Sequence, residues 1–383
     1  MTSALARTEL DPHRVAPQIP LVLLPGTGTR ITPWTVTRPS RLAAMGAHRA
    51  LDRVVAAAAH PDRRVLGGHL PAAVTALGHL AATLARHEPL TPAADGDPTK
   101  LIHRYFGVRH SNTATSGCLA LHATAVIRWC LADLEFAALD AADVLAEVAA
   151  CHQVIADIAQ APRFREASRA HRPDLDAAAG LAEYLPDGDS WARWVVAHHG
   201  YLFANLLAAE EIDRATAILG GPRRYYGGAV EHLRRAAVQV RGLTAMMIHS
   251  AVLPGSLYVD EIRPTMEPGA ITDLPTALTG GMFVEHHHYR RRLAELLETL
   301  PQPYDELVVH HPDLAAARSD LLNRDLDDLE RHITMGTTLL LAETDEKSLV
   351  QRPGKSAVGE LRKMRSRRVA DYRPFLATGR EQA

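Results

Sequence analysis

Apolar positions recur every three to four residues over most of the chain, the spacing that gives a helix one buried face. Leu42 to His87 carries the pattern in an alanine-rich background, with breaks expected at His60-Pro61 and at Gly67-Gly68. Ser116 to Ile158 repeats it through Leu119, His122, Val126, Trp129, Cys130 and Leu134, then Val144, Leu145 and Val148. Pro162 to Arg172 interrupts it. Pro186-Asp187-Gly188-Asp189-Ser190 supplies a turn and capping side chains for a long apolar helix from Trp191 to Ile218, closed by Gly220-Gly221-Pro222. Further helices are predicted at Ala229 to Ile248, Phe283 to Thr299, Leu314 to Leu341 and Ala357 to Tyr372.

The first 45 or so residues read differently, being rich in Pro and Thr. There the apolar run Ile19 to Leu24 ends at Pro25-Gly26 and predicts a short strand and turn. Glu88 to Thr99 is a loop by composition. Sustained alternation, internal repeats and heptads are missing. The expected fold is all-α, a multi-helix bundle with an irregular N-terminal extension. Two regions are expected: a partly helical extension with a Pro/Gly-rich arm over 1–97, and a helical body over 98–383.

Composition narrows the function classes. Forty-two Lys and Arg against 44 Asp and Glu give a net charge of -2, which argues against a nucleic-acid partner. No apolar run reaches the roughly 20 residues of a membrane span, so no membrane partner is expected. Met1 to Leu10 lacks an apolar signal core, and the three cysteines Cys118, Cys130 and Cys151 cannot build a disulfide framework. The expected location is therefore cytoplasmic.

The 21 histidines are the first place to look for metal chemistry. No HxxxH pair exists, and Glu285 to His288 is a lone ExxH where a di-iron bundle needs two. His286-His287-His288 spreads its imidazoles around the helix, so they cannot converge on one ion. No CxxC, GxSxG or P-loop is present, and LLPGTGTR lacks the GKS/T ending. His332 is different. Leu322, Leu329, His332, Gly336 and Leu340 fall near one helical stripe. A glycine inside a helix costs about 1 kcal/mol relative to alanine, and here it leaves room for something flat. A basic helix follows in RPGKSAVGELRKMRSRR. Heme on His332, with propionates near Arg362 and Arg365, is one coherent picture; a packed core histidine is the plain alternative.

At this point the order of segments resembles the superfamily of heme-dependent indoleamine and tryptophan dioxygenases, with its pyrrolnitrin ring-rearranging and heme-dependent tyrosine hydroxylase relatives. The resemblance covers about 187–368. DGDSWARWVVAHH is similar to the turn that opens the helix over the distal heme face. LPGSLYVDEIRPTMEP is similar to the segment ahead of the substrate pocket, LERHITMGTTLL to the segment of the proximal histidine, and PGKSAVGELRKMR to a glycine-rich loop and helix.

The resemblance implies heme b with His332 as proximal iron ligand and Gly336 beside it. It implies Trp194 and His198 on the distal side, and Arg263 at the substrate carboxylate. Tyr258 would stand in the distal pocket, and Gly354, Lys355 and Ser356 would form a mobile loop over the amino-acid group. The pattern also departs from the family. The loop keeps only Gly354 of its glycines, Val259 replaces an aromatic residue, and Leu329 stands where an arginine is usual. No cysteine stands four residues after His332, so covalent heme is not expected.

The implied protein is a heme-dependent oxygenase. It would use dioxygen or hydrogen peroxide on a small aromatic amino acid, hydroxylating a tyrosine-like ring, with His198 as the distal base. Indole dioxygenation, ring rearrangement and a heme carrier without chemistry are the alternatives, and a homodimer or homotetramer is allowed.

Overall fold

The computed structural model describes residues 22–25, 31, 33–88, 101–111, 114–161, 186–222, 225–267, 278, 280–339 and 357–377. The described residues are dominated by helices, as expected. The exception is a two-stranded parallel sheet: β1 (Val22–Pro25) pairs with β2 (Val108–Ser111), Val22 opposite Val108 and Leu24 opposite His110. The first strand overlaps the predicted run and continues to Pro25, which was expected in the turn. The second is four residues long, too short for alternation to reveal it.

Helix α1 (Arg38–Ala58) buries Ala44, Ala47, Leu51, Val54 and Ala58, one stripe at alternating steps of three and four. Helix α2 (Arg63–His87) begins where Asp62 accepts a hydrogen bond from the Arg64 amide. The expected break at Gly67-Gly68 does not occur, and the helix runs through both and through Pro71. A Cβ at either glycine would meet nothing within 4 Å, so both face away from neighbours. The buried stripe Leu66, Leu70, Ala73, Leu77, Ala81 and Leu84 holds the helix against their low propensity. By length and apolar content α2 would suffice to cross a membrane, although that stripe is buried in the protein.

The long pattern from Ser116 to Ile158 is two helices, α4 (Ser116–Asp133) and α5 (Ala141–Ala159), after a single-turn α3 (Leu101–Tyr105). Residues 134–140 contain neither Gly nor Pro. Side chains set the break instead: Asp133 is buried in an ion cluster, and Asp140 caps α5 at the Asp143 amide.

Helix α6 (Ser190–Gly220) is apolar almost all round and is therefore central. It packs on α4, α7 (Tyr226–Ser250) and α8 (Val284–Thr299). In turn α7 packs on α5 and on α10 (Pro312–Leu339), which follows the short α9 (Tyr304–His310) and carries α11 (Ala357–Tyr372). A Cβ at Gly242 would lie 2.2 Å from the Ala150 Cβ, so glycine is what lets α7 approach α5. Helices α1 and α2 are seated on α5 and α4, and one buried cluster runs from Leu51 and Leu77 through Trp129 and Leu202 to Leu321.

Charges tie the central helices together. Arg193 grips Asp133 at 2.5 and 3.1 Å, and Asp133 also meets His249 Nε2 at 3.1 Å. His249 Nδ1 stands 3.0 Å from both Glu147 oxygens. Burial pulls the His249 pKa down, but Glu147 and Asp133 outweigh it and lift it to about 9. Two cations thus balance two carboxylates at the junction of α4, α5, α6 and α7.

Candidate active site

Asp189 starts α6 by accepting from the Trp191 amide at 2.9 Å, and this fixes the phase of the helix. Trp194, His198 and Tyr201 then follow at i, i+4 and i+7 on one face. The His198 ring is stacked on Phe106 at 4.5 Å and meets the edge of Trp194 at 4.4 Å. Phe283 stands 6.2 Å from it, and Tyr258 closes on Trp194 at 5.6 Å. Three of the sequence-predicted residues, Trp194, His198 and Tyr258, are therefore brought into one aromatic cluster.

Polar groups inside that cluster are few. His198 Nδ1 donates to the Trp194 carbonyl at 2.5 Å, leaving Nε2 as the acceptor in the neutral ring. Enclosure of the ring is the main cause that lowers its pKa to about 4, aided by His199 and His332 and opposed by the Trp194 carbonyl. His198 is thus a neutral base at neutral pH. The Trp194 indole nitrogen is buried, and its side chain acts on the Tyr105 hydroxyl.

Tyr258 and Arg263 are set by a widened turn. Pro264 has no amide hydrogen, so the ordinary bond to Asp260 cannot form. The Arg263 amide donates to the Tyr258 carbonyl five residues back, not to Val259 four back, a π turn over Tyr258–Ile262. Burial raises the Tyr258 pKa and the nearby Arg263 opposes it, so the two side chains act on one another. Thr265 then meets the Tyr105 hydroxyl at 2.8 Å, and burial pushes Tyr105 up to about 12.

His332 lies on α10. Its Nδ1 donates to the Asp328 carbonyl at 3.2 Å, and the Asp328 carboxylate lies 3.6 Å away. Thr244 donates to that carboxylate at 2.9 Å. Burial works against charge on His332, yet Asp328 outweighs it and raises its pKa. His286 joins from α8, where Tyr201 meets its Nδ1 at 3.2 Å. The three adjacent histidines do not converge: His287 donates to the Gly281 carbonyl, and His288 sits against Arg291.

These residues fit a noncovalently held heme at His332. With Nδ1 engaged, Nε2 carries the lone pair that iron would take. A Cβ at Gly336 would meet only Val358 Cγ2, at 3.9 Å, an ordinary contact, so described protein atoms do not require glycine there. Arg362 and Arg365 lie on the exposed face of α11, Arg365 paired with Glu330, two residues before His332. Arg368 is buried and committed to Asp325, which also accepts from Tyr289, Tyr372 and Arg290. Gly354, Lys355 and Ser356 lie outside the described residues.

Sequence reasoning missed Phe106 and Phe283, and with them a cluster of two histidines and a glutamate. Glu285, fully buried, takes His103 Nε2 on one oxygen at 3.1 Å and His110 Nε2 on the other at 2.5 Å. Burial would raise the Glu285 pKa, but the two imidazoles hold it down at about 2. No spacing rule links residues 175 and more positions apart. The only local signal, Glu285 with His288, pairs the wrong histidine.

The profile of one family, described as SfmD 3-methyl-L-tyrosine peroxygenase, matches residues 32–318, three quarters of the chain. The chain belongs to this family. The matched span holds Trp194, His198, Tyr258, Arg263 and the Glu285 cluster, and it ends ahead of His332. No curated protein sequence and no solved structure matches the chain significantly. The family is one of peroxygenases, oxidoreductases that act on a tyrosine derivative.

Proposed function

We propose that this protein hydroxylates the ring of a tyrosine-like amino acid at the expense of hydrogen peroxide, with noncovalent heme b held by His332, on the architecture of the heme-dependent dioxygenase superfamily. In the overall change one ring C–H becomes C–OH, one peroxide oxygen is transferred, and the other leaves as water. The observation that carries the reading is the aromatic cluster of Phe106, Trp194, Tyr258 and Phe283 around the His198 ring, whose Nδ1 is tied to the Trp194 carbonyl and whose Nε2 is left as a base. The family match supplies the peroxide and the tyrosine-like ring.

Bound heme would supply the iron that activates peroxide. The chain's own groups do the rest. Phe106, Trp194, Tyr258 and Phe283 offer flat apolar walls for an aromatic ring and exclude water. His198 Nε2, unprotonated at neutral pH, accepts a proton from a phenol or from peroxide. The Arg263 guanidinium, close to Tyr258, presents a fixed fork of donors suited to a carboxylate.

Purified protein should show a Soret band. With hydrogen peroxide it should convert L-tyrosine or 3-methyl-L-tyrosine to a product one oxygen atom heavier, detected by mass spectrometry. A colourless protein that stays colourless with added hemin, or no hydroxylated product from either amino acid, would refute the reading.

A further inference from the structure

Behind Phe283 lies a group the proposed reaction does not use. His103 sits in α3 and His110 in β2. Between them Gly107 takes φ 63, a left-handed turn that L side chains rarely adopt, and this folds the strand back on the helix. The two imidazoles meet edge to face at 4.5 Å. Glu285, at the second residue of α8, inserts its carboxylate against both, one oxygen to each ring. One donor atom from each of the three lies within 4.8 Å of the others. His103 and Glu285 are buried, while the His110 side chain keeps 23% of its surface and opens a way in.

Charge makes the arrangement notable. The Glu285 carboxylate is a buried negative charge, which is costly unless compensated. A divalent cation shared by all three ligands compensates the carboxylate. Two imidazoles, one carboxylate and room for a further ligand is a donor set that zinc and its first-row neighbours accept.

We propose that His103, His110 and Glu285 bind a first-row divalent metal ion of the zinc class. The ion fastens the α3–β2 segment to α8 and thereby fixes Phe106 and Phe283, two walls of the aromatic cluster. The proposal stands apart from the oxygenase reading, since it needs neither heme nor substrate.

The purified protein, stripped with a chelator, is titrated with Zn(II) alone in competition with a chromophoric zinc indicator, and circular dichroism reports the fold. One tight site is expected. Glu285→Gln and His110→Ala should each weaken it at least about 100-fold, the upper end of what removing only an outer-shell partner does. His110 is partly exposed, so His110→Ala carries the test if Glu285→Gln does not fold. A surface group, His48, Asp52 and His152, also brings donor atoms within 4.8 Å and serves as the control. Zinc affinity that is unchanged in a folded His110→Ala variant, or that disappears in His48→Ala/His152→Ala, overturns the proposal, as does wild-type protein that binds no zinc.

Discussion

His332 donates through Nδ1 to the carbonyl oxygen of Asp328 at 3.2 Å, one turn earlier on the same helix, and the Asp328 carboxylate stands 3.6 Å from the same nitrogen. This contact fixes the tautomer and the ring orientation together. His332→Ala should lose most bound heme while circular dichroism stays helical. Asp328→Asn should keep the ligand yet weaken hemin affinity by about 10–100-fold, the range for losing an outer-shell partner. Normal heme content and an unchanged spectrum in His332→Ala would show that another residue is the ligand.

Gly336 gives a test that separates packing from cofactor. The described protein leaves room for a methyl group there, so Gly336→Ala should preserve the fold and gain up to about 1 kcal/mol of helix stability. Gly336→Phe fills the space that the proposed heme would take. Hemin titration should show near-normal binding by the alanine variant and little by the phenylalanine variant. Equal binding by both would place the heme elsewhere.

The helices were legible because a 3.6-residue period survives in any background, and α6, α7, α8 and α11 end within three residues of where the pattern places them. What the period cannot show is which helices touch. The break between α4 and α5 is set by Asp133, whose partners Arg193 and His249 are 60 and 116 positions away. Trp194 and His198 were readable as a pair because four residues is one helical turn. Phe106 on the ring of His198 was not, since 92 positions separate them and neither spacing nor composition marks the contact.

His198 should act on turnover and not on the cofactor. Its Nδ1 is tied to the Trp194 carbonyl, so removing the ring frees one carbonyl inside the helix and leaves Trp194 and Phe106 in place. His198→Ala should retain heme and slow hydroxylation by about 100-fold or more. Turnover within a few-fold of wild type would remove His198 from the chemistry.

The His249 cluster makes stability depend on pH. Its folded pKa of about 9 lies above the ordinary 6.5. The folded state therefore holds this proton more tightly than the unfolded chain. The stabilisation is complete below about pH 6.5 and is lost as pH rises through about 9. Urea midpoints measured from pH 6 to pH 9.5 should fall. His249→Ala strands Glu147 and Asp133 and should cost about 3–5 kcal/mol. His249→Gln should flatten the alkaline slope. A wild-type midpoint constant over that interval would show that His249 is not charged in the fold.

Arg263 separates an enzyme for amino acids from a heme carrier. It follows the π turn that also carries Tyr258, and Pro264 fixes the backbone directly after it. From there a guanidinium can meet a carboxylate with two parallel hydrogen bonds, which lysine cannot reproduce. Arg263→Lys and Arg263→Ala should weaken binding of tyrosine-like acids by roughly 1.5–3 kcal/mol, the scale of a charged hydrogen bond, with heme content unchanged. A spectral titration of ferric protein with tyrosine, 3-methyl-L-tyrosine and tyramine reads this directly. The acids should shift the Soret band of wild type and tyramine should do so poorly. In the Arg263 variants the acids should fall to the level of the amine. If acids and amine behave alike in wild type, the carboxylate is not recognised and Arg263 has no part in substrate binding.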